Sequence, residues 1–332
     1  MTRASRTIIV GGAGFLGSHF TDRLLADPGC GALTLYDNFS SGREWHYRHH
    51  ENDSRFDVAR ADVKDRERLV AAMDGHDLVV HLASNPDIAR AASEPGIDFH
   101  EGTVLTHHVL EAMRVTGCKR ILYASGSGVY GDLGERQAGE DHGPLRPIST
   151  YGASKLAGEA MISAYCHMFG LGARVCRLGN VVGPRQTHGV GLDFVRNLLA
   201  DPSRLTIRGD GRQSKSYIHV DDVVSAFLLA NEKGGGDCQV FNVASGDAIT
   251  VTEIADMAVE CLSLEGVEYR FTGGRRGWKG DVPVVRLDCG RIRDLGWVCR
   301  HSSREAMGLS LTAILDELRA HAGSPGSDVS AT

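Results

Sequence analysis

The chain has 332 residues, 42% hydrophobic and 23% charged, with a formal net charge of −6, enough to bury one large or two smaller cores of ordinary globular composition. A mildly acidic balance argues against a nucleic-acid surface, so an anionic ligand must be gathered by a few local Arg and Lys side chains. Eight cysteines stand without a CxxC pair or His partners at metal spacing, and no apolar run approaches a secretory h-region or a membrane span; reduced thiols, no metal, no membrane and a cytoplasmic setting are expected.

In chain order, the apolar run at 7–10 leads into GGAGFLG and then an amphipathic segment at 18–26. Strand, glycine turn and helix in that order are the opening of a dinucleotide-binding unit. Gly11 permits the tight turn, Gly14 lets backbone approach a pyrophosphate, and Gly17 lets the helix pack on the strand. The phosphates then fall on the helix N-terminus, at Phe15 and Leu16. A second strand, 32–36, ends at Asp37, whose carboxylate suits ribose hydroxyls and repels a 2′-phosphate, favouring NAD over NADP. Asn38, Ser40 and Gly42, with Arg43 beside them, form a turn-rich loop for the adenosine, and the His-rich stretch 44–52 reads as a solvated connection without chemistry. A third strand, 55–61, runs into Asp62 and Val63; Asp62 either takes the adenine amino group or caps a helix over 64–73. A fourth, 77–81, runs into Leu82, Ala83 and Ser84. Both strand ends lie on the carboxyl edge of the sheet, where open α/β folds place ligands.

Residues 98–116 are helical by spacing, with Leu105, Val109 and Met113 on a stripe that faces core or a partner, and Gly117 as the stop. A fifth strand at 120–124 ends in SGSGVYG, and a helix over 151–170 opens with YGASK. Tyr151 and Lys155, four apart, share one helical face and reach one point. A phenol holds its proton to about pH 10, but the Lys charge and a cationic nicotinamide ring favour the phenolate, making the pair a candidate acid/base. A sixth strand follows at 173–177, short strands are expected at 205–207 and 215–219, and the polar tail from His321 is expected to be disordered. Strands alternating with helices imply an α/β fold with a doubly wound parallel sheet.

The motifs GGAGFLG, DNFSSGR, Asp62-Val63, HLAS, YASGSGVYG, YGASK, RLGNVVGPR and YIHVDDV resemble the extended short-chain dehydrogenase/reductase family, over nearly all of the chain up to about Arg319. Within it the chain is most similar to the nucleotide-sugar epimerases of the UDP-glucose 4-epimerase type. The resemblance implies a Rossmann-type NAD-binding domain over 1–178, to which later segments return, a smaller α/β substrate domain mainly over 179–320, and a disordered tail, 321–332. It implies a homodimer through a two-fold four-helix interface built from the segments 98–116 and 151–170. It also implies that Tyr151 is the base, and that Lys155 binds the nicotinamide ribose and lowers the proton affinity of the phenol.

In such enzymes a Ser or Thr three residues before the Val of VYG holds the reacting hydroxyl. Here that position is Gly126, which leaves Ser127 or, as second choice, Ser125. Sugar-nucleotide dehydratases carry a carboxyl acid just before this motif, and Ser127-Gly128 offers none, so dehydration is disfavoured. For the UDP-sugar, the resemblance assigns Asn180 to the diphosphate sugar and a loop with His188, Val190 and Phe194 to the uracil. His188 and Phe194 have the alternative of packing beneath a helix. Arg185 and Thr187 fall near the sugar, Arg212 lies in the GDGRQ turn, and Lys215 stands where relatives carry Arg. Arg275 or Arg276 falls on the diphosphate, with a solvated basic turn as the alternative. The expected activity is 4-epimerisation of UDP-glucose/UDP-galactose or UDP-glucuronate/UDP-galacturonate; a UDP-glucuronate decarboxylase and a silent NAD-binding regulator are the alternatives.

Overall fold

The chain runs β1 (Ser5–Val10), α1 (Phe15–Leu25), β2 (Cys30–Asp37), β3 (Phe56–Arg60), α2 (Arg66–Met73), β4 (Leu78–His81), α3 (Val104–Thr116), β5 (Arg120–Gly126), α4 (Thr150–Phe169) and β6 (Gly172–Leu178). Then come β7 (Asn180–Val182), α5 (Val190–Ala200), β8 (Arg204–Ile207), β9 (Ser214–Lys215), β10 (Tyr217–His219), α6 (Val220–Lys233) and β11 (Cys238–Val243). The last elements are β12 (Ile249–Thr250), α7 (Val251–Cys261), β13 (Glu268–Phe271), α8 (Gly290–Asp294) and α9 (Ser303–Ala322). This computed structural model describes residues 5–322. The tail expected to be disordered from His321 lies outside them beyond Ala322, and its first two residues close α9.

Seven strands pair in parallel in the order β11-β6-β5-β4-β1-β2-β3. The interior strands are near-continuous apolar runs because both faces are covered: β1 is buried over its last four residues and β4 throughout. One apolar cluster joins Phe20, Leu35, Leu122 and Phe227, and a second joins Tyr36, Leu110, Met113 and Ile162. The Leu105, Val109 and Met113 stripe therefore faces core. From β1 the chain winds outward through β2 and β3, whereas β4, β5 and β6 step the other way. The switch between β1 and β4 opens a crevice at the carboxyl edge, the place where such sheets receive a ligand.

Beyond β6 the short strands pair two by two, β10 with β7, β12 with β9 and β13 with β8. A third core, including Val195, Leu198, Ile254 and Leu311, fills the space among α5, α7 and α9. The segment 215–219 is not one strand. Lys215 pairs in β9 and Tyr217 in β10, and between them the Ser216 hydroxyl meets that of Ser245 at 2.6 Å.

Local chemistry moves several helix starts. Gly14 is the N-cap of α1, which begins three residues earlier than its periodicity suggests. Asp65, not Asp62, caps α2, accepting from the Arg68 amide at 3.2 Å. A single π turn, Phe99–Thr103, precedes α3. α4 starts where the Ser149 hydroxyl accepts from the Gly152 amide and ends at Gly170 in the left-handed region. The stretch 44–52 is not simply solvated: His46 and Tyr47 are buried, and the His46 ring bonds the Ala13 carbonyl at 2.8 Å, pinning the loop to the glycine turn.

Candidate active site

The glycine turn is shaped by backbone approach. Gly11 has φ +84, and a Cβ there would lie 2.6 Å from the Ala83 amide nitrogen; one on Gly17 would lie 2.4 Å from the Gly12 carbonyl oxygen. Gly14 has no such neighbour, the nearest atom being the Gly11 oxygen at 3.5 Å, and no side chain caps α1. The first amides of α1, at Phe15 and Leu16, thus face an open approach suited to a pyrophosphate. At the end of β2, Asp37 is buried, accepting from Ala13 N at 2.9 Å and from Phe39 N at 2.7 Å. Desolvation raises its proton affinity and these two amides act against the rise. Gly42 packs on it, its would-be Cβ 2.7 Å from Ala13 Cβ and 3.1 Å from Asp37 Oδ1.

On the other side of β2, Asn38 donates to Asp62 at 3.0 Å and the Lys64 amide donates to it at 2.8 Å. Desolvation opposes the charge on Asp62, but these bonds and the Lys64 ammonium outweigh it and hold its carboxyl below the usual value. Asn38 and Ser40 form a local turn at 3.0 Å, and Val63 is buried beneath. Leu82, Ala83 and Ser84 leave β4 half-buried beside Gly11. The dinucleotide residues expected from sequence are brought to one edge.

α4 crosses that edge with its first turn. Lys155 Nζ lies 5.4 Å from the Tyr151 ring centroid and 5.3 Å from that of Tyr123, and donates to the Ala124 carbonyl at 2.9 Å. Burial pushes the Lys155 ammonium down to about 8, with Asp98 and Glu159 acting the other way. Desolvation, then the Asp98 charge, push the Tyr151 phenol up to about 12, and the Ser84 hydroxyl opposes them. The expected lowering by Lys155 is therefore not what the protein alone provides, because desolvation of the phenol is the larger effect.

The segment after β5 presses on this turn: a Cβ on Gly152 would sit 2.5 Å from the Gly128 oxygen. Gly126 is extended, and a Cβ there would lie 4.0 Å from Tyr151 Cε1, in ordinary contact. Ser125, the second choice for the assisting hydroxyl, is engaged elsewhere. It is buried and donates to Glu159 Oε1 at 2.5 Å, and Glu159 is itself paired with Arg177 at 2.7 Å. Ser127 opens the 3-10 turn Ser127–Tyr130 and is half-buried.

The expected substrate contacts divide. Asn180 heads β7 opposite Tyr217. Thr187 Oγ1 meets His188 Nδ1 at 3.1 Å, and Gly189, at φ +119, leaves the start of α5 at Val190 without a side-chain cap. Arg276 donates to Asp132 at 2.7 Å and to the Asp281 carbonyl at 3.1 Å, and Arg275 and Arg212 are exposed. Three other residues are occupied elsewhere. Phe194 is 5% exposed inside the third core, the packing alternative. Arg185 forms an ion pair with Asp22, donates to the His46 carbonyl at 3.0 Å, and donates its backbone amide to Glu317 Oε1 at 2.7 Å. Lys215 lies in an ion pair with buried Asp281 at 2.6 Å.

Several residues near the site had no motif to announce them: Asn85, Asp98, Thr150, Glu159 and Asp281. The eight cysteines are free thiols, five of them buried. Among the described residues, the grouping of possible metal ligands is Asp22, His49 and His50, whose carboxylate already bonds both imidazoles and Arg185.

The sequence matches the NAD dependent epimerase/dehydratase family over residues 7–244. The UDP-glucose 4-epimerase of Mycolicibacterium smegmatis is 36% identical over 300 residues, covering 88% of this chain and 93% of that one. The dTDP-glucose 4,6-dehydratase of Streptomyces griseus is 27% identical over 321 residues, 89% of this chain and 94% of that one. Among solved structures, a UDP-galactose 4-epimerase superposes with a TM-score of 0.84 at 36% identity, covering 94% of this chain and 99% of that one. The Thermus thermophilus UDP-glucose 4-epimerase in complex with NAD gives 0.81 at 29%, covering 93% and 99%. With the glycine turn, the Asp37 carboxylate and the Tyr-Lys pair on one sheet edge, these matches make the chain a member of the NAD-dependent epimerase/dehydratase family, extended short-chain dehydrogenase/reductases whose cofactor is NAD.

Proposed function

We propose that this enzyme is a UDP-hexose 4-epimerase, inverting sugar carbon 4 through a transient 4-keto sugar. The observation that carries this reading is Tyr151 and Lys155 converging on the sheet edge with no carboxyl acid in the segment that follows β5. The segment 125–131 contains none, and the nearby Glu159 is locked to Arg177 and Ser125. Expulsion of water from carbon 6 would need such an acid.

NAD, when bound, supplies hydride acceptance at carbon 4 and its return. The chain holds the dinucleotide on the first turn of α1 and at Asp37. Tyr151 removes the proton from the carbon 4 hydroxyl and gives it back after the sugar turns over, and Lys155 holds the nicotinamide ribose. Desolvation leaves the phenol at about 12 in the protein alone, so the positive nicotinamide has the task of bringing the phenolate within reach of neutral pH. Ser127 is the hydroxyl for the substrate oxygen. Asn180, the amides at the start of α5 and Arg276 take the UDP.

Between the two sugar pairs, the geometry favours UDP-glucose/UDP-galactose. A uronate carboxylate needs donors, and Arg185, the guanidinium expected there, is engaged with Asp22. The division into an NAD-binding part over 1–178 and a sugar-nucleotide part over 179–320 belongs to the same proposal. So does a homodimer: Phe99, Val115 and Met168, on and around α3 and α4, are exposed apolar side chains, and a two-fold four-helix contact would cover them. Light scattering at micromolar concentration that gave a monomer mass would remove that part.

The activity is tested by incubating the protein with UDP-glucose, UDP-glucuronate, GDP- and dTDP-hexoses and reading products by NMR. Interconversion of UDP-glucose and UDP-galactose is expected. A 4-keto-6-deoxy product, or a pentose formed with loss of carbon dioxide, would replace the reading with dehydration or decarboxylation.

A further inference from the structure

Asp98 is a buried carboxylate, 1% exposed, that none of the roles above uses. Its two oxygens hold two separate segments: Oδ1 accepts from Asn85 Nδ2 at 2.9 Å and Oδ2 from Thr150 Oγ1 at 2.6 Å. Asn85 directly follows the Ser84 that interacts with the Tyr151 phenol, and Thr150 directly precedes Tyr151. The carboxylate therefore ties the end of the β4 loop to the first turn of α4.

The chain brings it there by an unusual local geometry. Asp98 immediately precedes the π turn Phe99–Thr103, without a side-chain capping bond to it; such a wide turn occurs mostly as an isolated insertion and often at functional sites. That turn is docked on α4 one turn beyond Tyr151: a Cβ on Gly102 would lie 2.2 Å from Ser154 Oγ, and Thr103 donates to Ser154 at 3.2 Å. A side chain at 102 would force the Ser154 hydroxyl to turn aside.

The cation that answers this charge is Lys155, whose ammonium Asp98 favours. Glu159 is neutralised by Arg177 at 2.7 Å. Burial holds His81 uncharged, at about 3, and desolvation keeps Tyr123 protonated. What remains around the phenol is Lys155, whose ammonium donates to the Ala124 carbonyl and not to Asp98.

We propose that Asp98 is a positioning residue for the Tyr151–Lys155 pair, bracing the start of α4 against the β4 loop and placing a fixed negative charge that opposes loss of the Tyr151 proton. The proposal rests on the reading of Tyr151 as the proton-transfer group. Its consequence is a device against premature ionisation: the phenolate forms only when a positive charge, that of the bound oxidised dinucleotide, offsets Asp98.

The test is a spectrophotometric titration of phenolate absorbance in NAD-loaded protein, comparing Asp98→Asn with wild type, each corrected by subtracting its Tyr151→Phe counterpart. Asp98→Asn is expected to move the Tyr151 ionisation down by roughly one pH unit, with the acid limb of the kcat profile moving the same way and KM for UDP-hexose little changed. Asp98→Glu, which restores the charge, should bring the titration back toward wild type. Asp98→Ser, smaller and free of clashes, reads the same downward shift should the amide variant fail to fold. An unmoved Tyr151 titration in folded Asp98→Asn or Asp98→Ser overturns the proposal. Because the titration needs no turnover, that result is distinct from full activity in Tyr151→Phe, which would overturn the reading of the base instead.

Discussion

The cofactor edge and the loops beyond β7 are built by different means. At the edge, backbone makes the site: Gly11 and Gly17 approach Ala83 and Gly12 more closely than any Cβ allows, and the open end of α1 presents its amides. Beyond β7, side chains carry the proposed contacts, and side chains can be claimed by other partners. Arg185 answers Asp22, Lys215 answers Asp281 and Phe194 fills a core. A motif whose residues act through backbone shape keeps its meaning from chain to chain, whereas one that acts through a charged tip is decided by whatever lies within reach of that tip.

The largest effect is expected where both sides meet. Tyr151→Phe keeps the ring and removes the proton acceptor, so turnover should fall by a factor on the order of 10²–10⁴ with NAD and UDP still bound. Stopped assays together with the NAD content of the purified variant check this, and near-normal turnover would mean that another group moves the proton. Next comes the buried pair behind the site. Glu159→Ala strands Arg177 and frees Ser125, and denaturant unfolding should show a loss of about 3–5 kcal/mol.

The glycine comparison sharpens the claim that backbone shape builds the edge. Gly17→Ala puts a methyl 2.4 Å from the Gly12 oxygen and should cost about 1–3 kcal/mol of stability, together with NAD retention. Gly14→Ala meets nothing nearer than 3.5 Å; it should melt like wild type and lose dinucleotide affinity alone. Equal melting curves for the two would break the distinction. The smallest effect separates two arginines beyond β7. Arg276→Ala should raise KM for the UDP-sugar about tenfold with little change in melting. Arg185→Ala should lower the melting temperature and leave KM in place. The reverse pattern would return Arg185 to the substrate.

The sequence shows the parallel α/β sheet and its cofactor edge because alternating apolar runs, three spaced glycines and a carboxylate at a strand end each have a local physical cause. It shows less beyond β7. Nothing within a few residues of Lys215 indicates Asp281, and Arg185 meets Asp22 across 163 positions. Ser125 looked available beside the VYG motif until β5 turned it toward Glu159, on the buried side of α4. Asp98 is the clearest case of a hidden residue: its partners lie 13 and 52 positions away, and the π turn beside it falls at the start of the segment 98–116, whose apolar spacing reads as ordinary helix. The loop at 44–52 misled in the same way, since buried His46 answers a carbonyl 33 positions back.

Under the proposed epimerisation hydrogen leaves and re-enters carbon 4 within one closed site, and UDP-galactose deuterated at carbon 4 is the sharpest probe of it. NMR of the product should show UDP-glucose carrying the deuterium at carbon 4, with none in solvent and no free keto sugar. Deuterium lost to water, or carried off on released cofactor beside a keto product, would contradict it.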